Sequence, residues 1–170
     1  MAKIERIFAR SEGIVEAETG ALWDVLTDWG SMEWWGNELE RDGMEVGKFY
    51  LEGEKGTLPR TKVLERSNAE GAGLPLVNRE TLFLEDPVAH RLYYTATDGF
   101  IAGVRNYIAT WALDELPGGR TRMLLSSTFD VVEPADAAMI KDTVESVYDL
   151  IVKGLNGYFA KGLHLAPAHG

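Results

Sequence analysis

The chain has 170 residues, 45% of them hydrophobic and 26% charged, which is the composition of a globular protein with a sizeable core rather than of a disordered segment. Seventeen basic residues stand against 27 acidic ones, a net charge of −10 with no Lys/Arg cluster to reverse it locally, so nucleic acid and anionic membranes are excluded as partners. Cysteine is absent, which removes disulfides, thiol nucleophiles and Cys-bearing metal sites.

The N-terminus Met1-Ala2-Lys3-Ile4-Glu5-Arg6 alternates charge without a signal-like apolar stretch, and no run of about 18 apolar residues follows. The expectation is a cytoplasmic protein of one domain over 1–170, its core about 4–163. Residues 4–16 read as a first strand whose smaller face is Ile7, Ala9, Ser11, Gly13 and Val15. Thr19 stands where an N-cap belongs, before Leu22, Val25, Leu26 and Trp29 at helical spacing, and Gly30 supplies the stop. Ser31 is placed to cap a second short helix carrying Trp34 and Trp35.

Strands are predicted at 47–54, 58–68, 77–85, 90–98, 105–115 and 121–132, separated by short Gly-, Pro- and Asn-bearing turns. Connections this short imply an antiparallel meander. The last segment is a long amphipathic helix with Pro134 at its first position and Asp136 in its first turn. Ile140, Val144, Val147, Ile151, Leu155 and Tyr158 form its apolar stripe. At about 28 residues it would be about 42 Å long, and a helix of that length with one apolar face needs a broad sheet to lie on. Gly154 and Gly157 fit either a close backbone approach or simple tolerance.

The order β-α-α-six strands-long α resembles the SRPBCC (START-related, helix-grip) superfamily, nearest its bacterial polyketide cyclase/dehydrase-type branch. The residues that carry the resemblance are Val15-Glu-Ala with Leu22-Trp23-Asp24-Val25-Leu26, then Asp28-Trp29-Gly30-Ser31-Met32-Glu33-Trp34-Trp35. Val104-Arg105-Asn106-Tyr107 and Leu125-Ser126-Ser127-Thr128-Phe129-Asp130 follow. It implies an α+β helix-grip fold, a seven-stranded antiparallel sheet curved around the C-terminal helix with two short helices after strand 1, and an internal hydrophobic cavity. A looser similarity to plant abscisic-acid receptors rests on Gly73-Leu74-Pro75, where their gate loop lies, and on Asn106-Tyr107. The loop Gly99-Phe100-Ile101-Ala102-Gly103 lacks their His-Arg-Leu latch.

The resemblance points Tyr107 inward, and alternation then puts Arg105, Ala109, Trp111 and Leu113 on the same side. The neighbouring strands contribute Leu92, Tyr94, Ala96 and Asp98, then Asn78, Glu80, Leu82 and Leu84, then Met123, Leu125, Ser127 and Phe129. A one-residue slip in any strand inverts its list. Such a lining is mostly apolar and aromatic with a few polar groups, as in small-molecule sites. Asn78, Trp34, Trp35, Ala96, Ala109, Trp111, Ser127, Phe129, Val147 and Ile151 are the candidate ligand contacts. Ala96 and Ala109 would leave space open.

Glu80 is the candidate general base, with Arg105, Tyr94 and Tyr107 orienting substrate or stabilising charge. Equally, Glu80 and Arg105 form a structural pair, or Arg105 is a surface residue. Trp34-Trp35 either wall the entrance, pack on the sheet, or serve a partner surface such as that of a homodimer. His90, His164 and His169 have no ligand spacing, so no metal is expected, and the activity the resemblance implies needs no cofactor. Two functions follow from the resemblance. One is a cofactor-free cyclase, dehydratase or C–C lyase acting on a small aromatic or polyketide-like molecule; the other is a non-catalytic carrier or sensor for such a molecule.

Overall fold

The computed structural model describes residues 2–35, 48–65 and 77–162. In chain order the elements are β1 (Ile4–Val15), α1 (Thr19–Thr27), β2 (Lys48–Glu52), β3 (Arg60–Glu65) and β4 (Val77–Asp86). Then follow β5 (Arg91–Ala96), β6 (Val104–Leu116), β7 (Arg120–Val132) and α2 (Ala137–Ala160). The seven strands form one antiparallel sheet in the order β1-β7-β6-β5-β4-β3-β2, so β2 to β7 are a meander and β1 closes against β7. This is the helix-grip architecture the sequence predicts, and the strand bounds agree to within a few residues.

The long strands β6 and β7 are joined through Pro117-Gly118-Gly119, whose glycines take φ of 84° and 70°, a conformation that disfavours any residue with a Cβ. Two irregularities re-aim side chains. In β4 the pairing runs from Leu82↔Tyr94 to Leu84↔Tyr93, so one extra residue enters β4 and Leu84 turns outward, 47% exposed. In β6 it runs from Arg105↔Asp130 to Ile108↔Thr128, a bulge with Asn106 at φ 52°. Each bulge shifts the alternation by one residue. Leu84 and Arg105, both expected to point inward, face out for that reason.

α2 is 24 residues long, about 36 Å. Asp136 is its N-cap rather than a first-turn residue, its Oδ1 accepting from Ala138 N at 2.9 Å and Met139 N at 3.0 Å. Pro134, expected inside the first turn, therefore precedes the helix and follows a cis peptide bond. Among the described residues one helix follows β1. Residues 33–35 form a turn, so the helix expected from Ser31 is not present over Trp34 and Trp35; residues 36–47 lie outside the described residues. Thr19 does not cap α1: the cap position is Glu18, and the Thr19 hydroxyl instead reaches Thr121 Oγ1 on β7 at 2.9 Å.

β1 is an edge strand, and α2 supplies what its missing neighbour would. Glu145 Oε1 accepts from Arg10 N at 3.0 Å, Asn156 Oδ1 accepts from Glu16 N at 2.8 Å, and Asn156 Nδ2 donates to Ile14 O at 2.9 Å. Unpaired edge groups are thereby covered by side chains of the helix. The close approach is set on the strand: a Cβ on Gly13 would lie 2.7 Å from Val152 Cγ1. Gly157, considered for that role, has nothing within 4 Å of such a position. Ile140, Val144, Tyr148, Ile151 and Leu155 are buried toward the sheet. Among the described residues no helix is long and apolar enough to cross a membrane.

Candidate functional site

Between the concave face of the sheet and α2 lies a cavity of about 360 Å³, within the range of small-molecule sites. Its walls come from the turn after α1 (Met32, Trp34, Trp35), from β2 and β3 (Phe49, Lys62, Leu64), and from β4 and β5 (Asn78, Glu80, Tyr94). Tyr107 and Trp111 of β6 and Thr143, Val144, Val147, Tyr148 and Ile151 of α2 complete the lining, and the β5–β6 loop brings in Phe100 and Ile101. Trp34 and Trp35 are 5% and 8% exposed and belong to this wall, not to an outward face.

The charged centre of the cavity is a pair. Lys62 and Glu80 are directly opposite each other in the β3–β4 register, and Lys62 Nζ lies 2.8 Å from Glu80 Oε2. The Lys62 side chain is 7% exposed and that of Glu80 22%. The ammonium also stands 4.3 Å over the ring of Trp29, whose Nε1 donates to the Glu80 carbonyl at 2.9 Å. Trp29 thus fixes both members: it faces the cation with its π surface and holds the Glu80 backbone. Asn78 Nδ2 donates to Glu80 Oε1 at 3.3 Å. Buried charges are retained where they are paired and hydrogen-bonded, and this pair meets that condition.

A second polar cluster is built from phenols. Tyr107 and Tyr148 bring their hydroxyls to 2.8 Å, and Tyr94 lies beside Tyr107 with ring centroids 6.1 Å apart. Burial pushes the Tyr94 and Tyr148 phenols well up from the ordinary tyrosine range and Tyr107 up less. All three are therefore neutral hydrogen-bond donors over any physiological pH. Two hydroxyls share one mutual hydrogen bond, so one O–H of the Tyr107–Tyr148 pair remains to be given elsewhere. Asn78 Oδ1 and Trp111 Nε1 are buried without a hydrogen-bond partner among the described residues.

Of the residues singled out by sequence, Glu80, Tyr94, Tyr107, Asn78, Trp34, Trp35, Trp111, Val147 and Ile151 come together at the cavity. Arg105 does not. It is exposed and lines a separate groove with Gly103, Glu133 and Ala135, because the Asn106 bulge lies between it and Tyr107. The bulge is pinned by Asp98 Oδ1 accepting from Asn106 N at 3.0 Å and by Asp130 Oδ2 accepting from Asn106 Nδ2 at 2.7 Å. Asp98, which alternation lists as inward but whose place beside Gly99 reads as a turn, is an exposed turn residue.

Ala96, Ala109, Ser127 and Phe129 are buried but sit behind the lining. Ala109 is opposite Tyr94 in the β5–β6 register and is not among the residues that line the cavity. Phe129 stacks on Tyr107 at 5.7 Å and 27° and backs that ring. Lys62 and Tyr148 line the cavity and are absent from the sequence reading. Tyr148 had a signal, its i+4 spacing from Val144; Lys62 had none without the register that sets it against Glu80.

Among the described residues no three His, Asp or Glu side chains converge as metal ligands. His90 lies in the β4–β5 turn with its ring against Trp23, and His164 and His169 are outside the described residues, as is the Gly73-Leu74-Pro75 segment.

A seven-stranded sheet gripping a long C-terminal helix around an aromatic cavity is the START-related, SRPBCC-type helix-grip fold. The model of the family described as polyketide cyclase / dehydrase and lipid transport matches residues 9–160, and the chain belongs to that family. No curated protein matches it in sequence. Among solved structures, the norcoclaurine synthase of Thalictrum flavum superposes with a TM-score of 0.66 at 14% identity, over 94% of this chain and 88% of that one. An uncharacterised Bacillus thuringiensis protein gives 0.66 at 15% identity, over 91% and 99%. A Thermobifida fusca protein gives 0.64 at 20% identity, over 91% and 93%. At such identities the likeness is one of fold.

Proposed function

We propose that this protein is a cofactor-free acid–base enzyme, a cyclase, dehydratase or C–C lyase, acting on a small aromatic or polyketide-like carbonyl compound held in the cavity. The observation that carries the reading is the Lys62–Glu80 pair, 2.8 Å apart and opening onto an otherwise apolar chamber that also contains buried neutral phenols. A cavity used only to carry a hydrophobic molecule has no need of a desolvated ion pair, which is costly to bury.

In this scheme a Glu80 carboxylate oxygen accepts a proton from the carbon next to the substrate carbonyl, and the electron pair moves to the carbonyl oxygen. Lys62 and the hydroxyls of Tyr94 and Tyr107 are the donors available to that oxygen as its charge develops. Phe100 and Ile101, on the loop lining the cavity, would keep water from the intermediate. An aromatic substrate agrees with the walls of Trp34, Trp35 and Trp111. The Thalictrum flavum norcoclaurine synthase, of the same fold, has been crystallised with dopamine and hydroxybenzaldehyde.

The second reading is a non-catalytic carrier or sensor; the family description includes lipid transport. Glu80→Gln separates the two. It keeps size and much of the hydrogen bonding but removes the proton acceptor, so turnover of a substrate found by mass-spectrometric screening should fall about 10²–10⁴-fold with little change in affinity. Undiminished turnover removes Glu80 from the mechanism. A wild type that binds every ligand and returns it unchanged is a carrier.

A further inference from the structure

The polar corner of the cavity contains a buried atom that no described residue matches. Asn78 lies on the inward face of β4, two residues before Glu80, and its Nδ2 donates to Glu80 Oε1. Only the nitrogen end of an amide can donate to a carboxylate, so this bond fixes the orientation and leaves Oδ1 as the free end. That oxygen is buried, in a residue 7% exposed, and has no hydrogen-bond partner among the described residues. Leaving a buried amide oxygen unpaired costs about a factor of ten in an equilibrium constant, which a matching ligand group recovers.

The register says what stands next to it. Asn78 is opposite Leu64 and Glu80 is opposite Lys62, so Lys62 is the diagonal neighbour of Asn78, within reach of a long side chain. Lys62 Nζ gives one N–H to Glu80 and has further donors. The corner therefore offers a ligand one acceptor and at least one donor side by side. A carbonyl or ether oxygen answers Lys62 but leaves Asn78 Oδ1 empty. A carboxylate does the same and is repelled by Glu80. An ammonium answers Asn78 and is repelled by Lys62. A hydroxyl answers both, its hydrogen going to Asn78 Oδ1 and its oxygen accepting from Lys62 Nζ.

Taking the cavity as the ligand site, we infer that the ligand is a hydroxyaryl or enolised compound bound hydroxyl-first in the Asn78–Lys62–Glu80 corner, with Asn78 as the residue that selects the hydroxyl. The ring then extends from the corner into the aromatic part of the chamber. The selection is against the methyl ether of the same compound, because a buried polar group left unpaired is what rejects an analogue lacking the matching donor.

Calorimetric titration of the full chain with three probes tests this: an acetylnaphthol with its two groups at opposite ends, its methyl ether, and the methyl-acetylnaphthalene of the same shape. The naphthol should bind about ten-fold or more tighter than the ether, and the ether tighter than the hydrocarbon analogue, which loses the Lys62 contact as well. Asn78→Leu should bring naphthol and ether within about two-fold of each other while leaving the ether near its wild-type affinity. Equal binding of naphthol and ether by the wild type, no binding of any probe, or a preference that survives Asn78→Leu overturns the inference. Should Asn78→Leu fail to show a cooperative melt, the wild-type comparison of naphthol and ether still decides. Failure of the enzyme reading looks different: selective binding of the naphthol with no turnover of any substrate sinks catalysis and leaves the hydroxyl assignment standing. Glu80-dependent turnover by a protein blind to the methyl group does the reverse.

Discussion

Replacing Lys62 by methionine keeps the apolar stem and much of the volume but removes the cation from a nearly closed site. Glu80 then remains in the cavity wall with the Asn78 amide as its one side-chain hydrogen-bond donor among the described residues. Stranding one member of a fully buried pair costs about 3–5 kcal/mol. The Glu80 side chain is 22% exposed, so water recovers part of that, and about 2 kcal/mol is the expected loss for Lys62→Met. For a chain of this size that corresponds to a melting temperature about 4–8 °C lower. Adding Glu80→Gln removes the stranded charge, and the double variant should recover most of the loss, to within about 1 kcal/mol of wild type. Thermal and urea unfolding of the four proteins in the cycle measure the coupling directly. A Lys62→Met variant that melts with the wild type, or a double variant no more stable than the single one, would show that the two groups do not depend on each other in solution.

Raising the pH tests the phenols. Tyr94, Tyr107 and Tyr148 have folded-state pKa values above their unfolded ones, so their stabilisation is complete below pH about 10 and is lost as pH rises past it, by up to about 1.4 kcal/mol per pH unit for each. The phenolate absorbance of three tyrosines should appear together with loss of far-UV dichroism; a smooth titration of all six tyrosines in a still-folded protein contradicts their burial. Gly13→Ala places a methyl 2.7 Å from Val152 Cγ1 and should cost about 1–3 kcal/mol. Val152→Ala in the same chain should restore most of it, and an unaffected melt for the single variant would mean that α2 does not lie this close to β1.

The fold was legible because its signals are local. Ile140, Val144 and Ile151 repeat at helical spacing, and strands β4 to β7 alternate between turns whose glycines and prolines mark the ends. The site was half legible. The resemblance turns Tyr107 inward and alternation from there gives Tyr94 and Glu80, but alternation fails across a bulge, and nothing in Val104-Arg105-Asn106-Tyr107 announces that Asn106 takes a positive φ. Alternation alone puts Arg105 on the wrong face for that reason, and its alternative reading as a surface residue is the one that holds. Lys62 was missed for another: in Arg60-Thr-Lys-Val-Leu the charges look like the solvent side, whereas Arg60 and Lys62 are 3% and 6% exposed and are answered by Glu85 and Glu80 on the next strand. Which face of a strand is inward depends on partners that only pairing brings together. Ala109 is inward and buried yet does not line the cavity, because a small residue at an inward position does not by itself say where open space lies.

The central claim is that the chamber between sheet and α2 is a ligand site with its polar end at Lys62 and Glu80. A crystal structure of the protein soaked with the acetylnaphthol tests it most directly. The ligand should lie inside the cavity against Trp34, Trp35 and Trp111, with an oxygen within hydrogen-bond distance of Lys62 Nζ. Density for the ligand in the outer groove beside Arg105, with the cavity collapsed or holding water alone, would contradict the account.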